Sequence, residues 1–223
     1  REGVKDRPSE GVHLSKVAAR HSIGLTYSTL IPNEVWGFAE VGKFIERPDK
    51  TSRILDLRYQ SLPEKGLPKV ISHTETLEWS AVLRSCSAWD SYKSIYGAEI
   101  TPRLVAEFLL LNEDFPRSIR FCIAELNLAL RRISGVAEGR FCNDAEKLAG
   151  RLAAELQFST IDEIFTAGLH DYLDLLQMKL NNIGAAMFNT YIFQPFQVED
   201  SQHMVQQEEQ QQQTVGPANL KMR

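Results

Sequence analysis

The sequence predicts an all-α protein, a helical bundle of six or seven helices ending in a long helix. Three observations carry this reading. Apolar residues recur at spacings of three and four, as in Ile161, Phe165, Leu169, Tyr172, Leu176, Leu180, Ile183 and Met187. No segment alternates apolar and polar residues over a strand's length between turn signals. Glycine, proline and capping residues punctuate the chain at helix-length intervals. Each apolar stripe needs a partner, and antiparallel neighbours joined by short loops supply one.

Taken in order, the polar stretch 1–11 reads as a loose N-terminal segment. A weak helix follows over about 12–31, weakened by Gly24 and several β-branched residues. Asn33 is a suitable N-cap for a long segment reaching Leu62. "SLPEKGLPK", Ser61 to Lys69, reads as a loop. The next helix spans Thr74 to Tyr96, with Gly97 where a C-terminal glycine stop belongs. Thr101 and Pro102 pair an N-cap with a first-turn proline, opening a helix that ends near Asn112. Another starts near Pro116 and stops before Gly135. "NDAE" at Asn143 is a capping-box-like start in which Glu146 can reach back to the cap amide. "TIDE" at Thr160, with Glu163 in that role, opens a last helix continuing to Phe193 before Pro195. At 1.5 Å per residue that helix would be roughly 50 Å long.

The tail changes in kind, with "QQEEQQQQT" at Gln206 to Thr214. Such polar low-complexity sequence buries too little surface to offset its ordering entropy, so disorder is expected. The organisation expected is therefore a loose segment at 1–11, a helical bundle at 12–196 and a Gln-rich tail at 197–223.

With 223 residues and 43% hydrophobic content, the chain can bury a sizeable core without disulfides or metals. Its formal net charge of -4 argues against general attraction to nucleic acid or anionic lipid. Cys86, Cys122 and Cys142 are odd in number and widely spaced, which suits reduced thiols in the cytoplasm. No apolar run approaches the roughly 18–20 residues that span a bilayer, and no signal-peptide pattern is visible. The start at Arg1 rather than methionine reads as a fragment or a processed product.

The candidate chemistry centres on charged residues. Glu46 and Arg47 are neighbours on a helix, so their side chains diverge by about 100° and do not pair with each other. Glu46–Lys50 and Asp49–Arg53 are four-apart pairs that suit a solvated face. Yet Val35, Ala39 and Leu57 share the Glu46 side, and Trp36 and Ile54 flank Arg47. A helix apolar on several sides lies inside a bundle, where charges must be paired. The favoured reading is an interhelix ion-pair network. An anion or carboxylate site using the bidentate fork of Arg47 is the second.

Arg117 and Arg120 stand at the start of a later helix. Pairing with acidic neighbours is expected, and Asp90, Glu107, Glu125 and Glu155 are plausible partners among which the sequence does not choose. The alternative is that Arg117, with free backbone amides, grips a carboxylate or phosphate. Pro48 removes an amide donor and crowds the Phe44 carbonyl, at a cost of about 3 kcal/mol. A kink is expected there, or a break with Pro48 opening a second helix; a harmless bend is the simpler outcome.

"GFAEVGKF", Gly37 to Phe44, nearly matches a phosphate-binding loop. Phe44 stands where serine or threonine should meet magnesium, and no strand precedes it, so the spacing is read as helical. The five histidines, His13, His21, His73, His170 and His203, form no HExxH and no Glu-x-x-His pair, so no metal or other cofactor is expected. His170 is expected to cap or pack. Cys86 has no base nearby in sequence and reads as a buried thiol.

Four segments together resemble the Alpha-E family, named for an α-helical domain with a Glu-Arg motif. They are "VGKFIERPDKTSRILDLRY" (Val41 to Tyr59), "LRSCSAWDSY" (Leu83 to Tyr92), "VAEFLLLNEDFPRSIRFC" (Val105 to Cys122) and "RLAAELQFSTIDEIFTAGLH" (Arg151 to His170). The resemblance spans about Val35 to Phe193. Lys43 departs from a more usual arginine, and Pro48 from a small helix former. A similar motif that comes first in family members is not seen here. Genes of such proteins tend to sit beside, or fuse with, ATP-grasp-type ligases and transglutaminase-like proteins. The resemblance thus implies a role in ATP-dependent peptide or amide formation.

Two functional expectations follow. The first is a non-catalytic helical partner of an ATP-grasp-type ligase, with a transglutaminase-like protein as a further partner and no nucleic acid or membrane. The second is an enzyme or anion-binding domain whose pocket is built from Glu46, Arg47, Arg117 and Arg120. It requires those four side chains to converge. The long amphipathic last helix also offers a surface for a homodimer.

Overall fold

A computed structural model describes residues 34–60, 72–137 and 139–193. The expected loose segment, the weak first helix, Asn33 as a cap, the 61–69 loop and the tail lie outside the described residues. So do His13, His21 and His203.

Eight helices are present among the described residues, and no strand. They are α1 (Glu34–Gln60), α2 (His73–Ser85), α3 (Trp89–Tyr96), α4 (Pro102–Leu111), α5 (Ile119–Ser134), α6 (Asp144–Phe158), α7 (Ile161–Ala167) and α8 (Leu169–Tyr191). The all-α bundle is as predicted. The number exceeds six or seven because two expected helices are each divided.

The first division falls at Ser87, the one non-glycine residue with positive φ (53°) among the described residues. The Ala88 amide donates to the Leu83 carbonyl and the Ser87 amide to that of Arg84. This pair of bonds closes a Schellman turn in which serine occupies the left-handed position usually given to glycine. The following stretch restarts as α3. The second division falls at Gly168 (φ 97°), which ends α7 and begins α8. The last helix is therefore about 35 Å long at 1.5 Å per residue, rather than 50.

The caps explain most other boundaries. Thr101 accepts from the Leu104 amide ahead of Pro102. Ser118, Asn143 and Thr160 cap α5, α6 and α7. Thr160 and Glu163 form the expected capping box. Ser72 and Glu75 form another, so α2 starts one residue before Thr74. Glu146 reaches back one residue further than expected, accepting from the Cys142 amide at 3.0 Å. α1 runs unbroken through Pro48, which is buried. "GFAEVGKF" is plain helix within α1, with Phe44 in the core instead of at a phosphate.

Helices α1, α5, α6 and α8 form a closed ring of contacts, each packing on the next and α8 on α1. Helix α2 packs on α1, and α4 on α1, α2 and α5; α3 packs on α2 and sets its Tyr92 ring against Phe108 of α4, and α7 joins α4 to α8. The shared core includes Leu55, Trp79, Phe108, Ile123, Leu126, Leu156 and Leu173. Gly37 lets α1 approach α5 closely: a Cβ there would lie 2.8 Å from Ile133 Cγ1.

Candidate functional site

The site grows from the seam of α1 and α5. Arg47 and Thr51 lie one turn apart on α1, on one face. Both reach the segment just before α5. Arg47 Nη1 donates to the Pro116 carbonyl at 3.1 Å, and Thr51 Oγ1 donates to the Arg117 carbonyl at 3.2 Å. The Cys122 thiol approaches the same Pro116 oxygen at 3.6 Å. One carbonyl thus joins the Glu-Arg helix to the start of α5.

That carbonyl is held in place by the loop 112–118. The Asn112 side chain accepts from the amides of Asp114 (3.0 Å) and Phe115 (2.7 Å). Ser118 Oγ donates back to the Asn112 carbonyl while accepting from the Phe121 amide as cap of α5. Phe115 is buried and stacks on Phe108 at 4.8 Å between ring centroids. A short polar loop is therefore pinned at both ends and in its middle, and its outward carbonyls point at α1.

The four sequence-predicted residues do not converge. Glu46 is exposed and pairs along its own helix with Lys50. Asp49 pairs likewise with Arg53, at 2.9 Å. Val35 and Leu57, expected to mark a buried side around Glu46, are 63% and 74% exposed. That face is solvated, because the ring of α5, α6 and α8 covers only the opposite side of α1. Arg47 is half-buried, its guanidinium carbon 5.8 Å from the centre of the Phe44 ring. It takes a backbone carbonyl in place of the interhelix carboxylate expected.

Arg117 is exposed at the loop's end, close enough to act electrostatically on both Cys86 and Cys122. Arg120 turns to the other side of the loop and pairs with Glu113 at 3.0 Å. None of Asp90, Glu107, Glu125 or Glu155 serves either arginine; Glu155 instead binds Lys179 from α8.

Arg47 and Arg117 both act on the Cys122 thiol from the α1–α5 edge. Neither has a carboxylate partner among the described residues. Lys43 lies in the same field but is already bound to buried Glu40 at 2.5 Å. The Cys122 thiol records the balance: burial pushes it up to about 12, against the opposing pull of Arg47, Arg117 and Lys43. Burial likewise pushes Cys86 up to about 11. Neither thiol is a nucleophile at neutral pH. Two guanidiniums beside a helix start, with no carboxylate partner among the described residues, can hold a carboxylate or phosphate.

A second polar cluster escaped sequence reasoning. Asp56 on α1, almost buried, receives His170 Nδ1 of α8 at 2.8 Å and Gln60 Nε2 at 2.7 Å. His170 Nε2 lies 3.7 Å from Asp174. Donor atoms of Asp56, His170 and Asp174 all lie within 4.8 Å of one another, a spacing that could hold a metal ion. The hydrogen bond to Asp56, with the negative charge around it, raises the His170 pKa, so the trio works as a charged clasp between α1 and α8. The i,i+4 relation of His170 and Asp174 was visible in sequence. Asp56, 114 residues away from His170, was not.

Residues 12–192 match the model of the Alpha-E family, described as a predicted α-helical domain with a conserved ER motif. Glu46–Arg47 is the one Glu-Arg dipeptide in the chain. No curated protein and no solved structure matches. No described helix is long and apolar enough to cross a membrane.

Proposed function

Since the chain belongs to the Alpha-E family, we propose that it is a non-catalytic helical partner of an ATP-grasp-type ligase in cytoplasmic peptide or amide formation. The Arg47–Arg117 edge is the face it presents to an anionic group of that system. The observation that carries this reading is that the guanidiniums of Arg47 and Arg117, on separate elements, both act on the Cys122 thiol while neither has a carboxylate partner among the described residues. Arginine keeps its charge at any working pH and fits a carboxylate bidentately, so such an edge suits an acidic side chain or a phosphate. The pinned 112–118 loop keeps its geometry set before a partner arrives, which lowers the ordering cost of binding.

Co-purification with the ligase tests this. A complex formed by the wild type and by Glu46→Gln, but lost in Arg47→Ala and Arg117→Ala with unchanged circular dichroism, is the expected result. ATP turnover by the chain alone, abolished by Arg47→Ala, would refute the non-catalytic reading. The same edge supports a second reading, an anion-binding domain acting alone. That reading gains if the isolated chain binds a small carboxylate or phosphate in an Arg47-dependent way and no complex forms with either protein.

A further inference from the structure

The cluster of Asp56, His170 and Asp174 at the α1–α8 seam brings its donor atoms within 4.8 Å of one another. We infer that His170 Nε2 and Asp174 bind a divalent transition-metal ion, zinc above all, and that Asp56 orients the imidazole for it. His170 and Asp174 stand four apart on α8, so their side chains share one face. His170 Nε2 lies 3.7 Å from Asp174 Oδ2. Zinc bonds of about 2.0–2.2 Å at a tetrahedral angle would set that distance at about 3.4 Å. The Asp174 side chain is exposed, so a small rotation closes the gap.

Asp56 supplies what α8 cannot. It is almost buried, and both of its oxygens are engaged, Oδ1 by His170 Nδ1 at 2.8 Å and Oδ2 by Gln60 Nε2 at 2.7 Å. An ionised carboxylate only accepts, so the proton of the first bond sits on Nδ1. The neutral ring then carries its lone pair on Nε2, the nitrogen that faces Asp174. Histidines that bind metal are held in this way, with the other ring nitrogen donating to a carboxylate that fixes tautomer and orientation.

The surrounding charge favours a cation. The charges acting most on the ring are those of Asp56, Asp174 and Asp171, all negative. Neither Asp56 nor Asp174 pairs with a lysine or arginine among the described residues. The imidazole selects the class of ion. A ring nitrogen suits zinc, cobalt, nickel or copper, whereas magnesium and calcium take oxygen ligands. Two protein ligands leave two tetrahedral positions to water or to an outside carboxylate, so the ion is exchangeable rather than enclosed.

This site does not rest on the ligase reading or on the Arg47–Arg117 edge. The test is calorimetric titration of the tag-free full chain, stripped with EDTA, with Zn²⁺ and separately with Mg²⁺. Long-range ¹H–¹⁵N NMR of the imidazoles reports which nitrogen takes the metal. Zn²⁺ should bind at His170 Nε2, and Mg²⁺ should not bind there at about 1 mM. His170→Ala should abolish this event. Asp174→Asn, at an exposed position that does not endanger folding, should weaken it about tenfold or more. Asp56→Asn should weaken it about 10–100-fold. The same variant should move the metal-free ring away from its Nδ1–H form, a change that packing alone would not produce; circular dichroism checks its fold. Cys142→Ser should leave the event unchanged, since that exposed thiol and its partner Glu146 are a separate place for zinc. No Zn²⁺ uptake at about 1 mM, uptake indifferent to His170→Ala, coordination through Nδ1, or equal uptake of Mg²⁺ would each overturn the proposal.

Discussion

Arg47 and Arg120 stand on opposite sides of one seven-residue loop, and the loop serves them differently. Arg120 meets a carboxylate, Glu113, supplied by the loop itself. Arg47 meets only a backbone oxygen, that of Pro116. The same residue type, within reach of the same segment, is neutralised on one side and left charged on the other. Residue identity nominates a cation; the fold decides whether its charge is spent internally or remains for a partner. The Arg120 side is left paired, and the Arg47 edge positive.

Both halves of this contrast depend on the α1–α5 seam. Leu126, fully buried on α5, belongs to the core that supports it. Leu126→Ala should destabilise the protein by about 2–5 kcal/mol in urea unfolding and degrade both sides together. A loss confined to one side would show that the two sides do not share that support.

Asn112→Ala acts on the loop directly. It removes the acceptor of two amides, so a loss of about 1–3 kcal/mol is expected in the same measurement. Slower hydrogen exchange at Asp114 and Phe115 in the variant would be the contrary outcome.

Glu113→Gln should erase the asymmetry while barely touching stability, by at most about 1 kcal/mol for an exposed pair. Arg120 then joins Arg47 and Arg117 as an unneutralised guanidinium, and phosphate binding followed by NMR should rise. No gain would mean that Asp114 or Glu107 takes over the pairing.

The smallest effect concerns a third charge relation, the clasp of α1 to α8. His170 has a folded pKa above its usual value, chiefly through its hydrogen bond to Asp56. Its contribution is therefore fully present below the unfolded pKa of about 6.5 and is lost as pH rises through the folded pKa. Asp56→Asn should lower the urea midpoint most below that pH, and the difference from wild type should shrink toward higher pH. A difference that does not vary with pH would remove His170 from the account.

Much of the fold was legible because its signals are local. Thr101, Thr160 and Glu163 cap backbone groups three residues away, and Gly97 and Gly135 close helices by their own left-handed geometry. Where local signals were ambiguous, reading failed. Ser87 breaks a helix from a position usually filled by glycine, and the apolar stripe runs on across Gly168 as though no break were there.

The sequence by itself determined the helical class, most caps and the residues able to carry charge. Only the tertiary structure decided which charges meet. Arg47 finds its acceptor 69 positions away and His170 its carboxylate 114 away. Glu46, adjacent to Arg47, is exposed and pairs with Lys50 one turn along its own helix. Capping is settled within one turn of backbone, but the partner of a long side chain is whatever helix packing brings to its tip.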